Sequence, residues 1–485
     1  MADETKLPSY ETNPNEWYNE IVQKAELADI RYGVKGCLVF QPWSVETMEK
    51  MYDYLEADLK KRGHKNYWYP VLIPESYFQK ESEHIKGFMP EVFWVEKGGE
   101  EKLEERLALR PTSETAFYTM FALWLRSWKD LPLKTYQRAN IYRCETRATR
   151  PFLRSREFYW IETHCAFATE EDAYKNVLED METTKRVVFG VFGVPTIVFE
   201  RPAWDKFAGA GRTFGADAIT PQGRVVQQPS THMINQHFPK VFGVKYVDKD
   251  EKEKTPYTTC YGPAVSRLFA SVVLTHGDNK GLKFPFEIAP KQIVIVPILA
   301  EKKPAVLKKA KEIVEKLEAA GYRVELDDNN DKRPGEKFYY WEMKGVPLRI
   351  ELGPRDLKEK KFLLYRRDTE KKTAVAEKDL LKEVEKEGKA LSENLKKMAM
   401  KGFEGKIVDA KSVEEVKKIV GTGIARVNFC SVEKDGEKCA EVIEKETGGK
   451  IRGTRIDTNE KPFGNGKCIV CGKKATQVVY VAKDY

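Results

Sequence analysis

Residues 133–169 read LKTYQRANIYRCETRATRPFLRSREFYWIETHCAFAT. Both ends are rich in aromatic and β-branched residues, the composition of strands. Between them, from Ile141 to Trp160, lie five arginines (Arg143, Arg147, Arg150, Arg154, Arg156) and two carboxylates, Glu145 and Glu157. The pattern predicts a long antiparallel hairpin whose connection carries the arginines. A guanidinium is always charged and offers a planar fork that matches phosphate or carboxylate. Five of them repel one another unless an anion comes between them, and two carboxylates do not neutralise five arginines. Surface ion pairs with Glu145 and Glu157 are the structural alternative.

Upstream, residues 44–62 read as an amphipathic helix, with Ser44 and Glu46 near its start and Gly63 past its end. The β-rich YWYPVLIP that follows contains Pro70, which cannot donate to a ladder and places this strand at an edge or an interface. LALRPTSETAFYTMFALWLRSW is a loop leading into an apolar helix. Downstream, residues 170–188 form a charged helix and VPTIVFE a strand, and Ala208 to Val226 reads as short strands and turns. YTTCYGPAVSRLFASVVLTH is a strand, a tight turn and an apolar helix bearing Arg267. Strands follow strands without regular crossover helices, so the expected class is α+β with a helix-flanked antiparallel sheet.

Near residue 288 the texture changes. KQIVIVPI is a buried-strand signal; Pro304 opens a helix with apolar residues at 306, 307, 310, 313, 314, 317 and 320; Gly321 stops it and YRVEL is the next strand. This is a β-α-β unit. GVPLRIELG and FLLYRR supply further strands, and a charged helix follows over about 377–401. The expected units are 1–288, 289–395 and 396–485, the last opening with a capping-box helix marked by Ser412 and Glu415.

The 485 residues are 41% hydrophobic and 33% charged, with a net charge of +8. That excess is compatible with a polyanionic partner without requiring one, solubility being the alternative for its lysines. No apolar run approaches the roughly 18 residues of a membrane helix, and the acidic, polar MADETKLPSYE is no signal peptide. A soluble, cytoplasmic chain is expected. Of eight cysteines, Cys37, Cys144, Cys165 and Cys260 are scattered and read as buried thiols, whereas Cys430, Cys439, Cys468 and Cys471 crowd the C-terminus. The C-x-x-C of CIVCGKK together with the other two cysteines points to a structural, closed Zn²⁺ site, with four buried thiols as the alternative. The hairpin arginines suit a triphosphate on which negative charge develops. Neither the GxxxxGK[ST] loop nor a kinase glycine loop is present, so an ATP site here has another design.

The motifs resemble those of class II aminoacyl-tRNA synthetases, and specifically the prolyl-tRNA synthetases of archaeal and eukaryal type. YRCETRATRPFLRSREFYWIETHCAF resembles motif 2, RPTSE (Arg110–Glu114) the amino-acid loop, GLKFPFEIAPKQIVIVP the junction into the anticodon-binding domain and WEMKGVPLRIELGPRD that domain, and the chain ends in tyrosine as those enzymes do. The resemblance runs from about residue 15 to the end. It implies an antiparallel class II catalytic domain, an α/β anticodon-binding domain and a small α/β zinc-binding C-terminal domain. It implies attachment of L-proline to tRNA(Pro) through a prolyl-adenylate, with ATP as substrate, Mg²⁺, a structural Zn²⁺ and a homodimer.

Residue by residue, the resemblance assigns Pro70 to the dimer interface and Arg143 to the α-phosphate and the amino-acid carboxylate. It assigns Glu145 to the adenine side, Arg154 and Arg267 to the outer phosphates, and Thr112 and Glu114 to the proline ring nitrogen. Trp160, Glu162 and His164 form the pocket wall, and Gln227, Ser230 and His232 lie in the segment holding nucleotide, magnesium and proline. Glu342, Arg349 and Arg355 read the anticodon guanines; an unstacked base is open to a bidentate Arg and an accepting Glu. Bland readings accompany several of these. Thr112 and Ser113 suit a helix cap with Glu114 at its dipole, His164 and His232 suit a core, the anticodon trio suits a surface ion-pair set, and His64, His84, His237 and His276 read as structural.

Two segments depart from the family pattern, Gln228–Pro229 and Val265–Ser266. Only about 60 residues separate motif 2 from Gln227, too few for the large editing insertion of the bacterial type. A threonyl enzyme would carry a Cys and two His as zinc ligands in the pocket, and no such set stands at the matching positions. A non-catalytic paralogue would be expected to have lost motif arginines, and Arg143, Arg154 and Arg267 are all present.

Overall fold

A computed structural model of the chain describes residues 6–80, 92–145 and 148–485, so Arg147 and His84 lie outside the described residues. The hairpin forms as its composition implies. Leu133–Tyr142 and Glu157–Phe167 pair antiparallel from Leu133↔Ala166 to Tyr142↔Glu157. Strand Tyr257–Gly262 lies on its inner edge, followed by Val225–Asn235, Arg212–Ile219 and Ile197–Glu200. The segment from Ala208 to Val226, expected as short strands, instead supplies the eight-residue Arg212–Ile219 and leads into the eleven-residue Val225–Asn235. Helix Val265–His276 packs on the sheet with ten of its twelve residues buried. A separate three-stranded sheet of Leu72–Pro74, Glu101–Leu109 and Phe93–Gly98 delivers the Arg110–Glu114 loop to the open end of the hairpin.

The helix after the N-terminal segment runs Pro42–Lys61. Its proline occupies the first turn, where the missing N–H is not needed. Ser44 is not a cap: it is buried and donates to the carbonyl of Leu27 at 2.7 Å. Gly63 ends the segment with φ +88°.

The β-α-β unit is present, with Ile293–Pro297 between the parallel strands Val324–Leu326 and Leu348–Leu352. Val306, Ala310, Ile313 and Leu317 of helix Pro304–Ala319 face its core. Strand Lys361–Arg366 adds antiparallel, as does Lys372–Ala376, which the sequence reading passed over. A 25-residue helix, Leu380–Glu404, then leads to the C-terminal strands. At the next helix, Val413–Ile419, Ser412 accepts from the Glu415 N–H at 3.2 Å, and the Glu415 carboxylate reaches back to the Lys411 N–H at 2.7 Å. That is one residue beyond the reciprocal box.

The C-terminal strands do not form a sheet of their own. Ile407–Asp409, Ile424–Phe429, Gln477–Ala482 and Lys450–Arg455 continue the sheet that holds the hairpin, which reaches eleven strands. The join is Thr454↔Glu200 and Arg455↔Phe199. Gly453 makes it possible: at φ +118°, a Cβ there would stand 1.9 Å from the Glu200 carbonyl oxygen.

The middle unit is tied to the N-terminal one by Arg367, whose fork meets Asp278 at 2.6 and 2.8 Å while Nε donates to the Glu342 carbonyl at 2.9 Å. Arg367 is 1% exposed, so removing its partner would strand a buried charge. Asp278→Ala is therefore expected to cost about 3 kcal/mol; urea unfolding followed by tryptophan fluorescence measures it, and an unchanged midpoint would contradict this account.

Candidate active site

The open end of the hairpin, the Arg110–Glu114 loop and the start of helix Val265–His276 enclose two adjoining cavities. The first, about 200 Å³, is lined by Thr112, Glu114, Arg143, Trp160, Glu162, Gln227, Ser230, His232 and Arg267 among the expected residues. The second, about 160 Å³, is lined by Arg143, Glu145, Arg154 and Arg267 with Ser155 and Ser266. Arg143 and Arg267 stand on the walls of both. A larger cleft of about 560 Å³ beside Trp128, Lys134, Asp172 and Lys249 gathers mixed charges but no expected site residue.

The hairpin arginines divide. Arg143 donates Nε to the Pro111 carbonyl at 3.1 Å, and its guanidinium lies over Phe158 and Trp160 at 5.4 and 6.0 Å. Arg154 meets Glu145 at 3.4 Å. Arg150 instead lies over Tyr18 and Tyr485 at 5.0 and 4.9 Å and donates to Asn15. Arg156 turns to the Glu145 carbonyl at 3.4 Å. Of the four described arginines, then, two face the second cavity and two hold the loop. Glu157 accepts from Asn140 at 2.8 Å, so the ion-pair alternative retains the Arg154–Glu145 contact. Arg267 adds a third guanidinium; partial burial and the neighbouring charges of Arg143 and Arg154 bring it down to about 10. No side chain caps its helix, whose first N–H groups therefore add to the positive field.

The first cavity is organised around two carboxylates. Glu162 is buried and accepts from the Ser113 N–H at 3.0 Å, Gln137 Nε2 at 3.2 Å and Thr112 Oγ1 at 3.2 Å, with His164 Nε2 at 3.2 Å. Burial opposes its charge, but His164 and Ser113 prevail and hold its carboxyl below the usual range. Glu114, equally buried and in hydrogen-bond contact with Thr112 Oγ1, is pushed up by burial and by the charge of Glu162. The pair thus favours one negative charge over two. Helix capping is not what these side chains do: Ser113 is the N-cap residue of Glu114–Trp124, but its hydroxyl accepts from Gln137 Nε2 at 2.9 Å. Arg110 buttresses the loop through the Asn140 and Tyr69 carbonyls, both at 2.9 Å.

His164 stands behind this wall, fully buried between Phe117 and Tyr118. His232 lies on the cavity against Phe207 at 4.7 Å, with Thr213 Oγ1 and Ser230 Oγ at 3.2 and 3.1 Å from its nitrogens. Residues the sequence reading missed are Phe158, Phe207, Gln228, Gly262, Ala264 and Cys260. Cys260 pairs with His164 across the strands. Ligand atoms of Glu114, His164 and Cys260 lie within 4.8 Å of one another. The trio is one carboxylate, one imidazole and one thiol, a different set from a Cys with two His. Strand alternation from Gly262 would have aimed Cys260 inward. Cys165 is buried as expected, whereas Cys37 and Cys144 are only half-buried.

The departure at Gln228–Pro229 has a structural form. Gly215 pairs with Ser230 and Asp217 with Gln227, so the strand Val225–Asn235 bulges across these residues. Proline is tolerated because a bulge needs no N–H there. Gln228 turns inward and donates to Ser271 Oγ at 2.7 Å. Gln227 remains on the cavity.

Two expected sites lie elsewhere. Arg349 is buried between the rings of Phe338 and Tyr365 at 4.0 and 4.1 Å; its fork is held by Glu351 at 3.0 and 3.1 Å and by Glu342 at 2.9 Å. Arg355, near the start of the next helix, is exposed. The ligand atoms of Cys430, Cys439, Cys468 and Cys471 lie within 4.8 Å of one another. A tetrahedral Zn²⁺ with bonds of about 2.3 Å would set its sulfurs about 3.8 Å apart, so the four cysteines fit that ion.

Family profiles match three stretches: "tRNA synthetase class II core domain (G, H, P, S and T)" over residues 93–276, "Anticodon binding domain" over 292–387 and "Prolyl-tRNA synthetase, C-terminal" over 413–485. The proline–tRNA ligase of Thermofilum pendens is 46% identical over 489 aligned positions, covering 100% of each chain. That of Methanococcoides burtonii is 43% identical, again over 100% of each. Among solved structures, Giardia lamblia prolyl-tRNA synthetase in complex with prolyl-adenylate superposes with a TM-score of 0.94 at 37% identity, covering 99% of this chain and 100% of that one.

Burial holds His232 down to about 3 and His276 down to about 4, against 6.5 in the unfolded chain. Below pH 6.5 the unfolded state therefore takes up protons that the folded state refuses, and stability falls with pH. Each such histidine contributes a loss of about 1.4 kcal/mol per pH unit. His232→Asn should shallow the fall between pH 6 and 4.5 by about that amount, relative to the parent; identical slopes in denaturant titrations would show that His232 protonates freely in the fold.

Proposed function

The chain belongs to the prolyl-tRNA synthetase family of class II aminoacyl-tRNA synthetases, and from that premise we propose how its residues share the chemistry. The enzyme attaches proline to tRNA(Pro) in two steps: ATP activates proline to prolyl-adenylate with release of pyrophosphate, and the prolyl group then passes to the tRNA 3′ end.

The observation that carries the assignment is Arg143 on the shared wall of the two cavities. Proline occupies the first cavity. Its secondary ammonium meets Thr112 and the Glu114–Glu162 pair, whose preference for a single negative charge matches one cation. Trp160 and His232 bound the ring, and His164 sets the charge of Glu162. The proline carboxylate points at Arg143. ATP occupies the second cavity, with Glu145 on the adenine side, Arg154 and Arg267 at the outer phosphates, and Gln227 and Ser230 on the strand between the two substrates.

In the first step the proline carboxylate attacks the α-phosphate in line and pyrophosphate leaves. A carboxylate is already a nucleophile, so no residue need remove a proton. The difficulty is that two anions must approach. Arg143 touches both, and the charge that builds on the phosphate meets guanidiniums already in place. A Mg²⁺ bound with the nucleotide would offset its charge, held by the Gln227–His232 segment, where Ser230 Oγ would offer the kind of oxygen donor such an ion takes.

In the middle unit, exposed Arg355 and half-buried Glu342 face the anticodon, and Arg349 orients Glu342 from below. The four C-terminal cysteines hold one structural Zn²⁺. Pro70 lies beside exposed Trp68 (89%) and Leu72 (42%), an apolar surface suited to a homodimer interface. Among the described residues no helix is long and apolar enough to cross a membrane, in keeping with an enzyme of the cytoplasm.

Arg143→Ala should lower proline-dependent ATP–pyrophosphate exchange at least about 100-fold while circular dichroism stays unchanged. Exchange at the parental rate would remove Arg143 from the chemistry. Metal analysis should find about one zinc per chain, and Cys439→Ser should lose it together with several degrees of thermal stability; a zinc-free parent would return the four cysteines to plain thiols.

A further inference from the structure

Asp217, in strand Arg212–Ile219, is fully buried and receives two guanidiniums. Arg201 donates Nη1 to Oδ2 at 3.1 Å and Nη2 to Oδ1 at 2.9 Å. Arg452, from the C-terminal strand Lys450–Arg455, donates Nε to Oδ2 at 2.7 Å and Nη2 to Oδ1 at 3.0 Å. Arg201 Nη1 also donates to the Arg452 carbonyl at 2.7 Å, and Nη2 donates to Oε1 of Gln227 at 3.2 Å. Gly215 leaves the room this needs: a Cβ there would stand 2.3 Å from Arg201 Nη2.

Stability alone gives no reason for the arrangement. Two buried guanidiniums share one buried carboxylate, the partly exposed Asp484 meeting Arg452 only at 3.9 Å, and well-packed apolar groups usually serve a core as well or better. The contact with Gln227 supplies a reason. A carboxamide turned by 180° exchanges acceptor for donor at little cost. A guanidinium only donates, so Arg201 selects the turn that gives it Oε1 and leaves the Gln227 NH₂ for the cavity. There it faces an anion. A further cavity of about 190 Å³ joins Arg154, Gln227 and Arg267 to Arg452, Asp484 and Tyr485, so the C-terminal unit borders the same space.

We propose that Asp217 and Arg452 are positioning residues for adenylate formation: they hold Arg201 so that it fixes the Gln227 carboxamide with its NH₂ towards the nucleotide, which makes the C-terminal unit a working part of the catalytic site. This rests on the assignment of Gln227 to the ATP side.

Steady-state exchange with ATP and proline varied separately tests it, on the full-length enzyme, with thermal melting alongside. Arg452→Met should raise KM for ATP about tenfold, the scale of one hydrogen bond to a charged group, and leave KM for proline unchanged. Gln227→Ala should do the same. Because both act through one contact, the double variant should be no worse than either alone. If R452M fails to fold, Arg201→Lys, which keeps a charge on Asp217 but loses the fork, carries the same expectation. An unchanged ATP KM in R452M or R201K, an equal loss for both substrates with a lowered melting temperature, or a loss additive to that of Q227A would overturn the proposal while leaving Gln227 at the nucleotide. A parental ATP KM in Q227A would instead remove Gln227 from the nucleotide site, and the proposal with it.

Discussion

Like charges held together need a reason to stay. Arg143, Arg154 and Arg267 converge on adjoining cavities with Glu145 as the neighbouring carboxylate, and the two nearest guanidiniums lower the proton affinity of the third. Such a constellation is strained until an anion enters, and it is then already arranged for the anion's transition state. Much of the surrounding architecture keeps it from relaxing. The hairpin register sets where Arg143 emerges, Arg150 and Arg156 fasten the loop to the N-terminal segment and to itself, and an uncapped helix end backs Arg267.

The first cavity, proposed for the amino acid, uses the opposite sign in the same manner. Two buried carboxylates close together would repel if both were ionised. A histidine and a backbone N–H keep Glu162 charged, while Glu114 is driven towards its neutral form. One negative charge is what a single secondary ammonium requires. The two cavities therefore differ in charge, as the two substrates proposed for them do, and Arg143 stands on the wall they share.

The continuous eleven-stranded sheet changes how the C-terminal unit is understood. A zinc-knuckle module joined by a flexible linker would move independently. Here Arg455 and Thr454 are ladder partners of the catalytic strand Ile197–Glu200, and Arg452 shares a buried carboxylate with Arg201. Displacing the unit would break a sheet edge and leave buried charges without partners, so its position is bound to that of the catalytic core.

Local pattern carried much of this protein. The hairpin, the β-α-β unit, the helix begun by Pro304 and ended before Gly321, the arginine-bearing helix and the cysteine group were all legible, because periodicity, turn residues and motif spacing are properties of neighbouring positions. What was not legible depends on distant ones. The sequence shows five arginines alike, but packing against Tyr18 and Tyr485 takes Arg150 out of the cavity. It leaves Arg349 open as a base reader or a member of a surface ion-pair set, but within the fold its fork is buried and taken by Glu351 and Glu342. Cys260 looks like any scattered thiol until strand pairing sets it beside His164, and Asp217 acquires meaning only when Arg452 arrives from 235 residues away. Residue chemistry and short-range order are written along the chain. Which charges meet, and which are left facing a cavity, is decided by tertiary structure, because Coulomb forces and burial act through space without regard to sequence separation.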